Sequence, residues 1–485
     1  MKILDIVKKL DFVGIKNLNN FDVDSLSCST ADKNPNGVFF CVVGSNFDGH
    51  KFHKEAVAMG AKCLVVERYI DYPIMQILVK NSRVAMSKFA CVFYGLDNTQ
   101  MKIIGITGTN GKTTTTFLVK NYLASLNESV GLIGTEGIYF NNLLLPSNLT
   151  TPDPIMLFKI LHEMELSGIK YVVMEVSAHA LALNKLEGLK FEVVALTNIT
   201  QDHLDFFKSM QNYSRAKAQL FAEKYANKAV INVDDDYSMD IFKKTIISKK
   251  SLSLYLDADI TVSFCDFNEK NTTATLRYQN QNINIQTNLL GRYNLQNTMT
   301  AISTLLELGY RLIDIEKVVN ASQIVIPGRF NLLDTPTDYT VVVDFAHTPD
   351  GLAKVLKTAQ EFTKNRVICV FGCGGNRDTS KRRIMGQVAE KYADYTFVTS
   401  DNPRDENPLL IINDITEKMI KNFETEQDRA TAISKALDMA KTGDTVLILG
   451  KGAENYMEIK KVKYPYSDYQ VVDEYFKKKH IKIAQ

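Results

Sequence analysis

Short hydrophobic runs, each followed by polar or Gly-rich residues, recur along most of the chain. In residues 1–98 the clearest runs are VFFCVVG (38–44) and CLVVE (63–67), which predict buried strands in a small α/β unit. From about residue 100 the order becomes strand, tight loop and helix, which predicts a parallel sheet with helices on both faces. The runs that carry this pattern are KIIGITG (102–108), YVVMEVS (171–177), VVALTNI (193–199) and AVINVD (229–234).

A second such block opens near Pro327 and Gly328. The alternating polar segment TATLRYQNQNINIQT (273–287) that precedes it predicts a hairpin. The block's strand runs are VVVDFAH (341–347), RVICVFG (366–372), YTFVTSDNP (395–403) and TVLILGKG (445–452). A length of 485 residues is also too great for one core. We therefore predict three domains: 1–98, 99–327 and 328–485.

Charge and composition limit the classes of binding partner that are expected. Lys and Arg total 57 against 55 for Asp and Glu, so there is no electrostatic case for nucleic acid. The N-terminal run is interrupted by Asp5, Lys8 and Lys9, and no apolar stretch reaches membrane length. Seven cysteines without paired spacing predict reduced thiols. We expect a cytoplasmic monomer that binds small molecules and is not an integral membrane protein.

A Gly-rich turn between a strand and a helix is the strongest local motif. Backbone N–H groups in such a turn and at the helix start cradle phosphates. Ile106 stands where the strict Walker pattern has its first Gly, so the loop is shorter, and a simple Gly turn is the alternative. The predicted ATP loop comprises Gly108, Thr109, Asn110, Gly111, Lys112, Thr113 and Thr114. Lys112 would reach the terminal phosphates, and the Thr113 hydroxyl would ligate Mg²⁺.

GTNGKTT resembles the loop of the Mur ligases and of the related folylpolyglutamate synthases. Further segments follow in the order of the Mur ligase family, so the resemblance covers nearly the whole chain. They are MEVSAHAL (174–181), TNITQDHLDFF (197–207), YSRAKAQLF (213–221), PGRF (327–330), DFAHTPD (344–350), SDNPR (400–404) and GKGAE (450–454). The resemblance implies a small N-terminal α/β UDP-binding domain, a central P-loop ATPase domain with a doubly wound parallel sheet, and a C-terminal Rossmann-like α/β domain.

The resemblance also implies roles at the nucleotide. Glu175 ends a strand beside the phosphate loop, where a carboxylate commonly binds Mg²⁺, and a capping or salt-bridge carboxylate is the alternative. His203 and a carbamylated Lys217 would complete the metal set with Thr113. The sequence around Lys217 alone favours a surface lysine. A lone histidine is more often structural, but Asp202 and Asp205 beside His203 strengthen its interpretation as a metal ligand. The implied ATP contacts outside the loop are Asn294 and Asn297 at adenine, Arg329 at the γ-phosphate, and Asp344 and His347.

Two substrate sites are implied in the same way. The UDP-muramoyl peptide would contact Ser29, Thr30, Asn46, Phe47, Thr150, Thr151, Ser177, Lys185 and Lys217, with Ser29-Thr30-Ala31 standing where the family has Asp-Ser-Arg. The amino-acid pocket would contain Arg377, Asp401, Asn402, Pro403, Arg404, Gly450 and Glu454. A guanidinium at position 404 could hold the far carboxylate of meso-diaminopimelate, and Glu454 would face its far ammonium.

The expected function is therefore ATP-dependent amide-bond formation through an acyl phosphate. The implied reaction joins meso-diaminopimelate to the D-glutamate of UDP-N-acetylmuramoyl-L-alanyl-D-glutamate, a step of peptidoglycan assembly that uses ATP and Mg²⁺. Lys112, Glu175, His203, Lys217 and Arg329 are the predicted catalytic residues. Three alternatives stay open: an L-lysine-adding ligase, a folylpolyglutamate synthase, and a non-catalytic nucleotide-binding sensor on this fold.

Overall fold

A computed structural model describes residues 1–31, 33–44, 47–147, 149–268 and 270–479. Asn46, predicted to contact UDP, lies outside the described residues. The described strands form three sheets of five, eleven and six strands, which follow one another along the chain, and a two-stranded ribbon near the C-terminus. Among the described helices, none is long and apolar enough to cross a membrane.

The first sheet is small and mostly parallel, in the order β1-β5-β4-β3-β2 with β1 antiparallel to β5. Its hydrophobic runs alternate with polar turns, as expected for strands buried beneath helices. Phe40 packs edge-on against Phe89 of the covering helix α3, with 5.5 Å between ring centroids. The elements are β1 (Gly14–Lys16), β2 (Ser25–Ser27), β3 (Gly37–Phe40), β4 (Ala61–Val66), β5 (Met75–Leu78), α1 (Ile3–Val7), α2 (His53–Ala58) and α3 (Ser82–Phe93).

The central sheet has the order β16-β15-β14-β13-β12-β11-β6-β10-β7-β8-β9. Its strands are β6 (Lys102–Thr107), β7 (Val130–Gly134), β8 (Gly137–Phe140), β9 (Leu143–Leu145), β10 (Tyr171–Glu175), β11 (Phe191–Leu196), β12 (Ala226–Asn232), β13 (Ser248–Ser253), β14 (Ile260–Phe267), β15 (Thr272–Tyr278) and β16 (Gln281–Thr287). Its helices are α4 (Lys112–Ser125), α5 (Pro154–Leu166), α6 (Ala178–Ala182), α7 (Leu204–Phe207), α8 (Met210–Ala218), α9 (Asp236–Lys244), α10 (Arg292–Glu307) and α11 (Leu312–Ala321).

The predicted parallel central sheet is confirmed, and antiparallel strands extend it at both edges. Strands β7, β10, β6, β11, β12, β13 and β14 are parallel neighbours, whereas β8 and β9 on one side and β15 and β16 on the other are antiparallel. The physical reason is connection length: two residues join β7 to β8, and two join β8 to β9. Such short loops can only reverse the chain, since a parallel crossover needs many more residues. The predicted hairpin at 273–287 is confirmed as β15 and β16.

The third sheet has the order β17-β18-β22-β19-β20-β21, parallel except for β17. Its strands are β17 (Asn331–Leu333), β18 (Thr340–Asp344), β19 (Val367–Phe371), β20 (Tyr395–Thr399), β21 (Phe423–Glu426) and β22 (Thr445–Leu449), followed by the ribbon β23 (Tyr456–Ile459) and β24 (Val462–Pro465). The helices are α12 (Pro349–Phe362), α13 (Ser380–Tyr392), α14 (Pro408–Thr416), α15 (Arg429–Met439) and α16 (Asp468–Lys478). The predicted strands of this block are confirmed, and their carboxyl ends carry the polar loops.

Candidate active site

The phosphate loop joins β6 to α4 and depends on two glycines. Gly108 has φ +147° and Gly111 has φ +87°, in the region that favours glycine. A Cβ at Gly108 would lie 1.9 Å from Thr197 Oγ1, and one at Gly111 would lie 2.2 Å from Asn297 Oδ1. Helix α4 then begins at Lys112, so its free N–H groups face the loop. The local geometry is that of a phosphate cradle.

Lys112 folds back over this loop. Its Nζ donates to the carbonyl oxygens of Gly108 at 3.1 Å and Thr109 at 2.9 Å. Both acceptors are neutral carbonyls, so the ammonium charge is not neutralised by these contacts. A terminal phosphate would supply the missing negative charge.

Thr113 links the loop to both a carboxylate and a cation. Its hydroxyl donates to Glu175 Oε1 at 3.0 Å and accepts from Arg329 Nη2 at 3.1 Å. Glu175 is buried at the end of β10, and Arg329 stacks over the Phe345 ring with 4.4 Å to its centroid. Arg329, the predicted γ-phosphate cation, precedes strand β17 of the third sheet. The fold brings it into contact with Thr113, a predicted metal ligand at the edge of the central sheet.

The turn between β7 and β8 was not predicted to be functional. Thr135 donates to Glu175 through its backbone N–H at 2.9 Å and its hydroxyl at 3.2 Å, and the next residue, Glu136, lies 3.5 Å from Arg329 Nη2. Burial raises the pKa of Glu136, although Arg329 opposes this. The signal available in the sequence was a Gly-Thr-Glu-Gly turn after a buried strand, which resembles many ordinary hairpins.

A second charged cluster surrounds Asp202. Its Oδ2 lies 3.4 Å from His203 Nε2 and 4.0 Å from His347 Nε2, and its Oδ1 lies 3.9 Å from Lys381 Nζ. Burial alone would raise the pKa of Asp202, but His203, Lys381 and His347 hold it below its usual range. Asp202 is thus kept as an ionised carboxylate. It follows strand β11 of the central sheet, whereas His347 and Lys381 belong to the segment that forms the third sheet.

Lys217 is buried, which excludes the surface-lysine interpretation. The residue is 1% exposed, its Nζ donates to Gly108 O at 2.6 Å, and the same atom lies 4.7 Å from the centre of the Tyr213 ring. Burial lowers the pKa of Lys217 well below its usual value, Lys112 acts in the same direction, and Asp202 opposes it. Burial therefore favours the neutral, nucleophilic form of this amine.

The predicted adenine contacts flank the phosphate loop. Asn297 Nδ2 donates to Asn294 Oδ1 at 3.2 Å, and both side chains are buried at the start of α10. Asp344 ends β18 and accepts backbone N–H groups from Phe330 and Ala346, each at 2.7 Å. Burial raises the pKa of Asp344 to about 6, while Arg329 and these two N–H groups oppose the shift. Asp344 thereby fixes the turn that carries Arg329.

The predicted amino-acid pocket forms around the loop after β20. Asn402 donates to Glu454 Oε2 at 2.8 Å, and buried Lys451 donates to the same oxygen at 2.9 Å. Arg404 pairs through Nε with Glu458 Oε2 at 2.9 Å. Lys451 lies within the quoted segment GKGAE but was assigned no role, and Glu458 stands in none of the quoted segments.

One cleft is shared by the phosphate loop, the charged clusters and the predicted amino-acid pocket. It encloses about 370 Å³ and is lined by residues of the phosphate loop together with Glu175, His203, Arg329 and Arg404. Its further predicted lining residues are Thr150, Asn294, Asn297, Asp344, His347, Arg377, Asp401, Asn402, Gly450 and Glu454. Pro403 adjoins these residues and is buried.

The residues predicted to contact the UDP-muramoyl peptide fall into separate groups. Thr151 is buried, and its Oγ1 donates to Glu175 O at 2.9 Å and to Ser177 Oγ, on a partly exposed residue, at 3.3 Å. Lys185 Nζ pairs with Asp153 at 2.7 Å. Ser29, Thr30 and Phe47 belong to the loops of the first sheet, and the Phe47 side chain is exposed. Their role in binding UDP stays a prediction.

The donors available for a metal are sparse. Within the part of the chain that is described, no group of three or more His, Cys, Asp or Glu side chains is close enough to hold an ion. The Thr113 hydroxyl and the Glu175 carboxylate nevertheless meet at the phosphate loop. This oxygen pair suits Mg²⁺, which commonly keeps its waters and takes remaining ligands from substrate phosphates.

Comparisons with known proteins agree with this geometry. The Mur ligase middle domain matches residues 106–305, and the Mur ligase glutamate ligase domain matches residues 328–452. The UDP-N-acetylmuramoyl-L-alanyl-D-glutamate--2,6-diaminopimelate ligase of Aquifex aeolicus is 42% identical over 439 residues, 90% of each chain. The corresponding ligase 1 of Clostridium acetobutylicum is 39% identical over 484 residues, 98% of this chain and 99% of its own.

Solved structures extend the comparison. A structure of UDP-N-acetylmuramoyl-L-alanyl-D-glutamate--2,6-diaminopimelate ligase superposes with a TM-score of 0.69 and 29% identity, covering 95% of this chain and 96% of that one. MurF ligase of Thermotoga maritima, solved with ADP, shares the fold at 21% identity and a TM-score of 0.65, covering 93% of this chain and 97% of its own. Fold and cleft define an enzyme of the ligase class. The chain belongs to the Mur ligase family.

Proposed function

We propose that this ligase joins meso-diaminopimelate to the D-glutamate of UDP-N-acetylmuramoyl-L-alanyl-D-glutamate at the expense of ATP. The observation that carries the proposal is the shared cleft: Lys112 and Arg329 at its phosphate end and Arg404 at its other end line the same space. The names of the Aquifex aeolicus and Clostridium acetobutylicum relatives support the choice of substrates.

The chemistry follows in two steps. The D-glutamate carboxylate attacks the γ-phosphorus of ATP, which forms an acyl phosphate and releases ADP. The amine of the incoming amino acid then attacks the acyl carbon, loses a proton, and expels inorganic phosphate as the amide forms. Lys112 and Arg329 are placed to stabilise charge on the transferring phosphoryl group, because fixed cations need no reorganisation during the reaction.

Mg²⁺ is part of this proposal. Thr113 and Glu175 would hold it with the nucleotide phosphates, and it would neutralise phosphate charge when bound. The Thr135 hydroxyl and N–H orient the Glu175 carboxylate toward the loop. The proposed further contribution of His203 and of carbamylated Lys217 rests on the family resemblance and, for Lys217, on the burial of its amine. Carbamylation would convert the buried amine into an anion.

We also propose that each of the three sheets is the centre of one domain, and that the domain boundaries are 1–98, 99–327 and 328–485. The support is that β6 begins at Lys102 and that Gly328 precedes β17. UDP would lie on the loops of the first domain, near Ser29, Thr30 and Phe47.

The test is phosphate release from ATP in the presence of the UDP-linked dipeptide. Purified enzyme is assayed with meso-diaminopimelate, with L-lysine and with no amino acid, and the peptide product is identified by mass spectrometry. Release with meso-diaminopimelate alone is expected. Release with lysine alone would overturn the assigned acceptor, and release with neither would favour the sensor alternative.

The role of Arg404 in this proposal has its own variant. R404L should raise the KM for meso-diaminopimelate about tenfold or more, because a charge-assisted bond to the far carboxylate is lost. R311L is the matched control, since Arg311 is an exposed guanidinium that pairs only locally with Asp314. An unchanged KM in R404L would contradict the assignment.

A further inference from the structure

The guanidinium of Arg404 is held on two sides before any substrate binds. Its Nε donates to Glu458 Oε2 at 2.9 Å, and its Nη1 donates to the carbonyl oxygen of Gly375 at 2.9 Å. These two contacts fix the plane of the group. Nη2 makes no contact among those described for this side chain, so the Nη edge is the part left for a ligand.

The backbone of Arg404 is fixed as well. Its φ of +52° is unusual for a non-glycine residue. Its N–H donates to Glu458 O at 3.0 Å, and its carbonyl accepts from the N–H of Lys460 at 2.9 Å. The loop after β20 is thereby attached to the ribbon strand β23, which carries Glu458. A strained residue held by its surroundings in this way is a common feature of ligand clamps.

Glu458 supports the pocket without forming its wall. Arg404 lines the cleft, whereas Glu458 is not among the described residues that do so. The backbone N–H of Glu458 donates to Asn402 Oδ1 at 2.9 Å, and Lys451 Nζ donates to the same oxygen at 3.1 Å. Asn402 therefore ties the Arg404–Glu458 pair to the Lys451–Glu454 pair.

Each of these two ion pairs is electrically neutral. Lys451, which is fully buried, neutralises Glu454, and Glu458 neutralises Arg404. A ligand group with one positive and one negative charge adds no net charge to such a site. A lone ammonium would add one, and its burial without a partner is costly.

We propose that Glu458 is a positioning residue that turns the Nη edge of Arg404 toward the cleft and so selects an acceptor whose far end carries a carboxylate beside its ammonium. This inference rests on the proposed function, since it concerns the same amino-acid pocket. Glu458 acts through Arg404 rather than by touching the substrate. Its effect should accordingly be confined to the binding of the amino acid.

The test compares E458L and E458Q in the full-length enzyme. E458L removes the acceptor for Nε–H, and the KM for meso-diaminopimelate should rise about tenfold, the cost of a lost bond to a charged group. The kcat and the KM values for ATP and the UDP-linked dipeptide should change less than about twofold. E458Q keeps an oxygen that accepts from Nε, and its KM for meso-diaminopimelate should rise much less than that of E458L.

The matched control is E424L. Glu424 lies on β21, an edge strand of the third sheet, and pairs with Lys435 at 2.7 Å, while Lys435 also pairs with Glu426. E424L should leave every kinetic constant unchanged. If E458L does not fold, E458A replaces it. Alanine places no large apolar side chain at this partly exposed position, and the same rise in the KM for meso-diaminopimelate is expected.

Three outcomes would overturn the inference. One is an unchanged KM for meso-diaminopimelate in the folded E458L or E458A variant. Another is an equal rise in the KM values of all three substrates, which would indicate a general structural role. The third is a wild-type enzyme that does not use meso-diaminopimelate; this failure belongs to the proposed function and is recognised before any variant is compared.

Discussion

Arg329 Nη2 donates a 3.1 Å hydrogen bond to Thr113 Oγ1, joining the turn before β17 to the phosphate loop. The same guanidinium lies 3.5 Å from Glu136 and stacks on Phe345. A rigid planar cation is thus held where phosphate charge would develop. Lysine at this position could supply charge but could neither stack in this way nor donate from two nitrogens.

R329K should therefore lower kcat by about 100-fold or more, the usual cost of losing a fixed donor at a developing negative charge. The measurement is steady-state phosphate release at saturating substrates. R311K, at an exposed arginine, is the control. A kcat within about threefold of wild type would show that Arg329 is not required for phosphoryl transfer.

K217A should abolish turnover, and added bicarbonate should not restore it, because alanine has no amine to carry a carbamate. Wild-type protein incubated with isotopically labelled bicarbonate should carry the label at Lys217 when trapped and examined by mass spectrometry. K224A is the control, since Lys224 is an exposed lysine paired with Glu187. Full activity of K217A, or no label in active wild-type enzyme, would remove the carbamate from the mechanism.

The titration of Asp344 should destabilise the folded protein as pH rises. Its folded-state pKa is raised from 3.8 to about 6, so its contribution to stability is complete below pH 3.8 and is lost as pH rises through 6. Relative to D344N, the free energy of unfolding of wild type should fall by up to about 3 kcal/mol across this window. Urea unfolding at a series of pH values measures the difference. D257N, at an exposed carboxylate, should show no comparable trend; parallel curves for wild type and D344N would contradict the assignment.

Helix α12 is attached to the phosphate loop by a hydrogen bond: Asn110 Nδ2 donates to Asp350 Oδ2 at 2.8 Å. D350A should loosen this attachment and increase the radius of gyration of the ligand-free protein in small-angle scattering. A non-hydrolysable ATP analogue should compact wild type and the variant alike, because Arg329 would then gain a phosphate partner. Identical scattering with and without the analogue in both proteins would refute closure on the nucleotide.

A buried ion pair stabilises the third sheet. Arg429 donates to Asp468 through Nε at 2.8 Å and Nη2 at 2.7 Å, and both side chains are inaccessible to solvent. D468N should lower the free energy of unfolding by about 3–5 kcal/mol, since the guanidinium would stay buried without its counter-charge. Denaturant unfolding measures this loss. D473N, on the exposed face of α16, is the control, and an equal effect of both substitutions would contradict the prediction.

The sequence by itself determined the strand runs, the three-part organisation, the phosphate loop and the family. Each of these depends on local information: alternation of buried and polar segments, or glycines at a strand-to-helix turn followed by Lys112 and Thr113. The cytoplasmic location and the monomeric state stay predictions. The antiparallel strands β8 and β9 at one edge of the central sheet were not predicted, because their two-residue loops and short runs carry little local signal.

Only the tertiary structure decided which charged groups meet. Glu136 and Glu458 stand at positions that no motif marks, and they become relevant because folding brings them to Arg329 and Arg404, which lie 193 and 54 residues away along the printed numbering. Lys217 could equally have been a surface lysine until its burial against Gly108 was seen. Local pattern specifies elements and loops, whereas electrostatic partners and pKa values depend on distances between segments that are remote in sequence.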